Sequence, residues 1–152
     1  MPDRTKPMAP PGTAPEAEAG WQTLAARLLR EAFAQRGLDD TNAFAAELLS
    51  FFLQNPESAL SLREAAAAAR RSPDYYGRVC LRQTGFHYHD LAALARMASA
   101  RALLVQTDET VAAISVRLHY SSADYFARVF RRHTGMTPGL YRRTARQHPE
   151  RM

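Results

Sequence analysis

Several features common in other proteins are scarce or missing in this chain of 152 residues. Its one cysteine, Cys80, excludes an internal disulfide framework and a zinc site built on several cysteines. No apolar run approaches the ~18 residues that a membrane-spanning helix needs. The N-terminus also lacks the apolar core of a secretory signal. These absences predict a protein of a reducing compartment, the cytoplasm, without a membrane partner.

Residue patterns that carry catalysis or bind cofactors are missing as well. No Ser/His/Asp arrangement, glycine-rich phosphate loop or carboxylate pair stands out, so neither an enzyme nor a cofactor is expected. His87, His89 and Asp90 form a short cluster, but no second cluster accompanies it, and aspartate is ordinary at a helix start. No metal site is therefore predicted.

Arginine, by contrast, is abundant and unevenly distributed. Residues 1–60 carry 5 basic and 8 acidic side chains, whereas residues 61–152 carry 15 basic and 7 acidic ones. All of the basic residues in the second part are arginine, since Lys6 is the only lysine. A concentrated positive half favours a polyanionic partner, with nucleic acid ahead of an anionic membrane. A GC-rich genome explains part of the preference for arginine over lysine, but it does not explain the uneven distribution.

Apolar spacing predicts helices from Trp21 onward and an all-α fold, because no stretch alternates as a strand does. Residues 1–20 contain five prolines and are predicted to form a flexible tail. Residues 21–56 are predicted to form a helical hairpin. Gly37 is expected to end its first helix, and Asp39 and Asp40 to cap its second.

The second helix of this hairpin carries an apolar stripe whose role stays open. Its members are Phe44, Leu48, Phe51 and Phe52. About 35 residues are too few for an independent domain. The stripe therefore packs on the rest of the chain as a structural extension, joins two copies into a homodimer, or binds another protein.

Residues 57–146 contain an internal repeat. Residues 72–85 read SPDYYGRVCLRQTG and residues 122–135 read SADYFARVFRRHTG, with 8 of 14 positions identical. Each copy begins with a serine suited to cap a helix and ends with a glycine suited to close one. Cys80 matches Phe130 in this repeat, which predicts a buried thiol rather than a redox sensor. A short helix precedes each copy, so each is predicted to be a helix-turn-helix unit.

A single long helix, about His89–Gln106, is predicted to join the two units. At ~1.5 Å per residue it spans roughly 27 Å. This length suits two recognition helices in successive major grooves, which lie ~34 Å apart on one DNA face. Residues 147–152 remain as a C-terminal tail.

At these residues the chain resembles the AraC/XylS family of bacterial transcription regulators. The resemblance covers about 61–145, and its most specific segments are Thr110–Ile114, Tyr120, Ser122–Arg132, Thr134–Pro138 and Tyr141-Arg142. It implies two helix-turn-helix subdomains, joined by a linker helix, that bind double-stranded DNA through helices 73–83 and 123–133. Many members carry a cupin-type sensor domain, which residues 1–60 cannot supply, so a sugar-like effector is not expected.

The resemblance also implies which residues face DNA. The base-facing positions are Pro73, Asp74, Gly77 and Arg78 in the first unit and Ala123, Asp124, Ala127 and Arg128 in the second. Positions near phosphates are Ser72, Ser122, Arg82, Arg131, Arg132 and Thr137. Two or three arginines of the stretch that runs on through Arg142, Arg143 and Arg146 are expected to contact phosphate, and the others to form a solvated face.

These residue types offer a small set of base contacts. A bidentate contact from arginine to guanine is worth ~1–3 kcal/mol of discrimination, while the alternative for Arg78 and Arg128 is a phosphate or a nearby carboxylate. Asp74 and Asp124 either accept from cytosine or, more in line with their positions, cap helix ends and orient the arginine. Part of the specificity is therefore expected from DNA shape.

The chain departs from the family pattern in both turns. His119 stands where glycine is usual, and Arg70-Arg71 stand where glycine and an apolar residue are common. Tyr120 and Cys80 each replace a phenylalanine. Slightly altered turns and looser packing of the first unit are expected.

The sequence thus predicts a sequence-specific regulator of transcription that contacts RNA polymerase or blocks it. The alternative is an architectural or adaptor protein. Such a protein anchors on DNA with little sequence choice and recruits a partner through the hairpin.

Overall fold

A computed structural model describes residues 15–57 and 60–151 and confirms the all-α prediction, since these ranges contain eight α-helices and no strand. The helices are α1 (Pro15–Ala34), α2 (Ala43–Gln54), α3 (Leu62–Ala68), α4 (Pro73–Thr84), α5 (Tyr88–Gln106), α6 (Val111–Arg117), α7 (Ala123–Thr134) and α8 (Pro138–Gln147). None of the helices in the described ranges is both long and apolar enough to cross a membrane.

Two helix-turn-helix units form where the repeat predicts them. The helices α3 and α4 make the first unit, and α6 and α7 make the second. Both second helices extend one residue beyond the predicted ranges, to Thr84 and Thr134. Each is closed by a glycine in the left-handed conformation, Gly85 with φ 81° and Gly135 with φ 80°. The linker helix α5 runs between the units and contacts helices of both.

Near both ends, the described residues contain helical segments that the sequence analysis assigned to tails. The flexible tail expected over residues 1–20 is corrected from Pro15 onward, where α1 begins, while residues 1–14 lie outside the described residues. A proline is tolerated in the first turn because its missing N–H would have no partner there. At the other end, Pro149–Arg151 form a 3-10 turn within the segment predicted as a tail.

Helix α1 packs mainly along α5 and only slightly on α2, where the Phe33 and Phe52 rings meet edge to face, so residues 21–56 form a hairpin that depends on α5. Helices α1 and α5 run antiparallel. Gly20, early in α1, faces Gln106 at the end of α5, while Leu29, later in α1, shares a cavity of about 60 Å³ with Ala95 and Ser99. Small buried side chains on α5 let the helices approach closely. These side chains are Ala92, Ala95, Ala98, Ser99 and Ala102.

The connection between α1 and α2 confirms the predicted closing glycine and corrects the predicted cap of α2. The first helix ends at Ala34, and Gly37 closes it with φ 73°, the left-handed conformation that commonly follows a helix end. Asn42 caps α2, where its side-chain oxygen accepts from the Ala45 N–H at 3.0 Å, because it directly precedes the helix and Asp39 and Asp40 do not. The Asp39 carboxylate instead accepts from the hydroxyl and backbone N–H of Thr41, and these bonds lower the pKa of Asp39.

The apolar stripe of α2 is buried inside the chain, which corrects its prediction as an interaction surface. Leu48 and Phe52 are 0% and 2% exposed, and Phe44 and Phe51 are partly covered. Aromatic rings from the first unit and α5 pack on the stripe, with ring centroids 5.1 Å apart between Phe44 and Tyr76 and 6.0 Å apart between Phe52 and Tyr88. Of the three roles left open, the contacts match the structural extension, because Leu48 and Phe52 lie inside the chain.

Candidate nucleic-acid interface

On α4, a buried face and an exposed face separate as the helical spacing requires. Tyr76 and Cys80 are buried, whereas Asp74, Arg78 and Arg82 are exposed. Burial raises the pKa of the Cys80 thiol, which is in line with a core cysteine. Pro73 is exposed at the first helical position.

The second recognition helix, α7, repeats this arrangement. Phe126, Val129 and Phe130 face the core, and Asp124 and Arg128 are exposed. The phosphate candidates Arg131 and Arg132 are exposed in its last turns, and Ala123 is half-buried. Equivalent arginines, Arg78 and Arg128, therefore occupy the outer face of both helices.

The two small positions beside these arginines are less accessible than predicted. Gly77 and Ala127 are both half-buried. A Cβ at Gly77 would lie 3.5 Å from Cδ2 of Leu62, because this side of α4 turns toward α3. Both stay predicted base-facing positions and are less exposed than Arg78 and Arg128.

Local hydrogen bonds hold the two recognition helices in the same way. Ser72 and Ser122 each accept from the backbone N–H three residues later, at 3.4 and 3.0 Å. At the other end, the Thr84 hydroxyl donates to the Cys80 carbonyl at 2.7 Å and accepts from the Phe86 N–H at 3.1 Å. Thr134 makes the equivalent bonds, at 2.8 and 3.2 Å. The repeated sequence therefore produces two helices with the same hydrogen bonds at both ends.

Both tight turns contain a residue in the left-handed region. Arg70 has φ 58° and His119 has φ 64°, the conformation that glycine adopts without strain. These are the turns where the chain departs from the family pattern. The left-handed turn is kept despite the change of residue, so the departure adds strain and leaves the helix-turn-helix connection in place.

Two exposed tyrosines are candidate site residues that the sequence reasoning missed. Tyr75 and Tyr125 are 43% and 45% exposed at equivalent positions of α4 and α7. The Arg71 guanidinium lies 5.5 Å from the centre of the Tyr75 ring, and that of Arg128 lies 6.0 Å from the Tyr125 ring. Their identity in both copies of the repeat was the signal that could have found them.

The C-terminal arginines have separate roles. Arg142 Nε donates to the Leu104 carbonyl at 2.8 Å, and Arg146 Nη2 donates to the Thr107 carbonyl at 2.7 Å. Both side chains thus satisfy carbonyls at the end of α5. Burial lowers the pKa of Arg142. Arg142 and Arg146 are therefore not simply a solvated face, and the two or three phosphate contacts expected from the stretch stay a prediction for the exposed Arg131, Arg132 and Arg143.

An open groove of about 470 Å³ lies beside α4, lined by Asp74, Arg78 and side chains from α3 and α5. The rings of His87 and His89 stack at its edge, with centroids 5.7 Å apart. Within the described ranges, no three His, Cys, Asp or Glu side chains are grouped so that they could hold a metal ion.

Thr137, the position equivalent to His87, caps α8 by accepting from the Leu140 N–H at 3.3 Å.

Residues 65–144 match the helix-turn-helix domain family, which covers both units and more than half of the chain. The chain belongs to the AraC/XylS-type helix-turn-helix family. This confirms the resemblance drawn from the repeat. The chain is similar to the regulatory protein PocR of Salmonella typhimurium. The two are 34% identical over 83 residues, which cover 55% of this chain and 27% of PocR.

Solved structures share the AraC/XylS-type fold. A DNA-binding transcriptional dual regulator from Escherichia coli K-12 has a TM-score of 0.59 at 28% identity, and the match covers 66% of this chain and 90% of that one. The DNA-binding domain of AdpA, solved with a target DNA, has a TM-score of 0.58 at 24% identity over 68% of this chain and 93% of that one, a likeness of fold. The chain spans 12–35% of the length of the first three curated relatives that it matches.

Proposed function

We propose that this chain binds double-stranded DNA at specific sequences and regulates bacterial transcription. The observation that carries the proposal is the pair of exposed arginines, Arg78 and Arg128, at equivalent positions of two identically capped helices. Membership of the AraC/XylS-type family and the names of its relatives, which are transcription regulators, support it.

The proposed mechanism places α4 and α7 in adjacent major grooves. Arg78 and Arg128 then each form a bidentate contact to guanine, with Asp74 and Asp124 in the positive first turns of the helices. Since Gly77 and Ala127 are half-buried and lack polar side chains, the remaining specificity comes from DNA shape.

Contacts to the phosphate backbone set the register of the two helices on DNA. The side chains proposed for this role are Ser72, Arg82, Ser122, Arg131, Arg132 and Thr137, joined by Tyr75 and Tyr125. All of these residues are exposed at the ends or outer faces of α4, α7 and α8. Phosphate contacts position the protein and carry no direct sequence information.

The regulatory output follows from where such a complex sits. Bound beside a promoter, the protein contacts RNA polymerase; bound across it, the protein blocks the enzyme. Transcription in vitro from templates with the selected site upstream of the promoter or within it separates these outcomes. The alternative role, an adaptor that recruits a partner through the α2 stripe, is less favoured because Leu48 and Phe52 are buried.

The test of this function compares arginine variants on DNA selected from random sequences. Arg78→Ala and Arg128→Ala are each expected to lose ~1–3 kcal/mol of binding to the selected duplex and little binding to random duplexes. Arg132→Ala is expected to weaken binding to both and to reduce the salt slope by about one.

Fluorescence anisotropy at fixed salt measures these affinities, with the exposed Glu31→Ala on α1 as the control for unrelated surface changes. Equal affinity of the parent protein for selected and random DNA contradicts sequence-specific binding. Unchanged discrimination in both arginine variants contradicts the assigned base contacts.

A further inference from the structure

An ion cluster centred on a buried arginine joins α1 and the segment after α2 to the second helix-turn-helix unit. Its centre is Arg117 of α6, whose side chain is 9% exposed. The Arg117 guanidinium bonds Glu109 Oε2 through Nη1 and Glu57 Oε1 through Nε, both at 2.5 Å. It also lies 5.0 Å from the centre of the buried Trp21 ring. Trp21 and Glu57 both lie outside the region that matches the family.

A second bond at this place reaches the turn of the second unit. His119 Nε2 lies 2.6 Å from the backbone carbonyl oxygen of Glu57. Glu57 therefore contacts both the last turn of α6 and the connection to α7. A matching contact lies at the first unit, where Asn42 Nδ2 donates to the Gln83 carbonyl near the end of α4 at 2.8 Å.

These contacts supply a rigidity that α5 alone does not. Between their described residues, α4 and α7 share no extensive packing, so α5 is the main direct link between the two units. The N-terminal part contacts both units, since α2 packs on α3 and α4 while Trp21 of α1 and Glu57 contact Arg117. With α1 docked along α5, these contacts remove bending and twisting freedom at the linker. Because the Arg117 guanidinium is buried and needs its carboxylate partners in place, the cluster is suited to set an orientation.

We propose that Trp21, Glu57 and Arg117 form a brace that holds the second recognition helix at a defined orientation to the first. They are then positioning residues for binding two DNA sites at once. The proposal rests on the proposed DNA-binding function. A loosened brace lowers the effective concentration of α7 at its site after α4 has bound, while each unit alone keeps its affinity.

The test is the Glu57→Gln variant, because Glu57 is 47% exposed and Arg117 keeps Glu109 as its partner. Its binding is measured on a duplex with both selected half-sites and on one with the α7 half-site scrambled. We expect roughly two- to fivefold weaker binding to the complete duplex, the scale of one exposed ion pair, and unchanged binding to the scrambled one. The affinity of Glu57→Gln should also vary less than that of the parent when the half-site spacing is changed by single base pairs.

The matched control is Glu31→Gln, which removes the same charge from an ion pair between Arg27 and Glu31 inside α1. Glu57→Lys, with Glu31→Lys as its control, should enlarge the effect. An equal loss on both duplexes, or no loss in either Glu57 variant, overturns the proposal.

A measurement without DNA separates the brace from the proposed function. Spin labels at Arg82→Cys and Arg132→Cys report the distance between the two recognition helices, and Cys80 is buried away from the label. The distance distribution should broaden with Glu57→Gln and keep its width with Glu31→Gln. An unchanged width in the Glu57 variants contradicts the brace, whereas failure of the parent to prefer selected DNA contradicts only the proposed function.

Discussion

Single residues carry strain at the turns of both helix-turn-helix units. Arg70 and His119 hold left-handed backbone angles, although neither is glycine. For an L-residue this conformation costs about 1–2 kcal/mol relative to the right-handed one. His119 gains a contact with the Glu57 carbonyl, while Arg70 is exposed, which makes Arg70 the simpler place to test strain.

Replacing Arg70 by glycine is expected to raise the free energy of unfolding by about 0.5–1 kcal/mol. The gain is smaller than the strain, because glycine also increases the entropy of the unfolded chain by roughly 0.4–1 kcal/mol. Urea unfolding measures the difference. Arg70→Ala removes the same side chain and keeps the strain, so a glycine variant no more stable than the alanine variant contradicts this account.

Buried tyrosines make stability depend on alkaline pH. Burial raises the pKa of Tyr76 from 10.0 to about 12, and it raises that of Tyr88 as well. Because the folded pKa lies above the unfolded one, this contribution is complete below pH 10 and is lost as the pH rises from 10 to 12.

The Tyr76→Phe variant should therefore lose less stability than the parent between pH 10 and pH 12. Urea unfolding at neutral and alkaline pH checks this, with the exposed Tyr75→Phe of the same helix as the control. If the parent and Tyr76→Phe lose the same free energy of unfolding at alkaline pH, groups other than Tyr76 cause the loss.

At the scale of elements, α5 is stabilised by α1 along its side and by α8 at its C-terminal end. Small side chains along one face admit α1, and arginines from α8 satisfy the carbonyls of its last turn. The Thr107 hydroxyl adds a bond to the Leu103 carbonyl at 2.7 Å. The linker is thus a packed central helix as well as a spacer.

Substitution of the arginine that caps α5 tests this role. Arg142→Met is expected to lower the free energy of unfolding by about 1.5–3 kcal/mol, the scale of hydrogen bonds from a charged group. Arg143→Met removes an exposed neighbour on the same helix and should change it by less than about 0.5 kcal/mol. Chemical denaturation compares the two variants. Equal effects would contradict a structural role for Arg142 at the end of α5.

At the scale of the whole molecule, the buried residues form one continuous cluster. It extends from Trp21 in α1 through α5 to Phe130 in α7, so neither unit has a separate core. A chain with one core is expected to unfold in one step.

Thermal unfolding followed by far-UV circular dichroism and by the fluorescence of the single tryptophan, Trp21, should give the same midpoint. The first signal reports all helices, and the second reports α1 at the Arg117 cluster. Loss of the Trp21 signal well before the helical signal would mean that α1 detaches from a core that survives without it.

How far the sequence predicts this protein differs between the repeat and the N-terminal part. The caps, closing glycines and buried faces of α4 and α7 follow from residues within a few positions of each other, and the repeat shows them twice. The partners of α1 and of the α2 stripe lie far away in the chain. Their apolar spacing predicted helices without indicating that Tyr76, Tyr88 and the small residues of α5 would cover them.

By itself, therefore, the sequence determined which segments from Trp21 onward are helical, where the two units begin and end, and that Arg78 and Arg128 face outward. Caps, turns and helical periodicity are local, and their free energies are decided by near neighbours. Only the tertiary structure decided that Arg142 and Arg146 serve α5 and that Arg117 lies between Glu57 and Glu109. Those choices depend on distances between residues 8 to 60 positions apart, which exist only after the helices have packed.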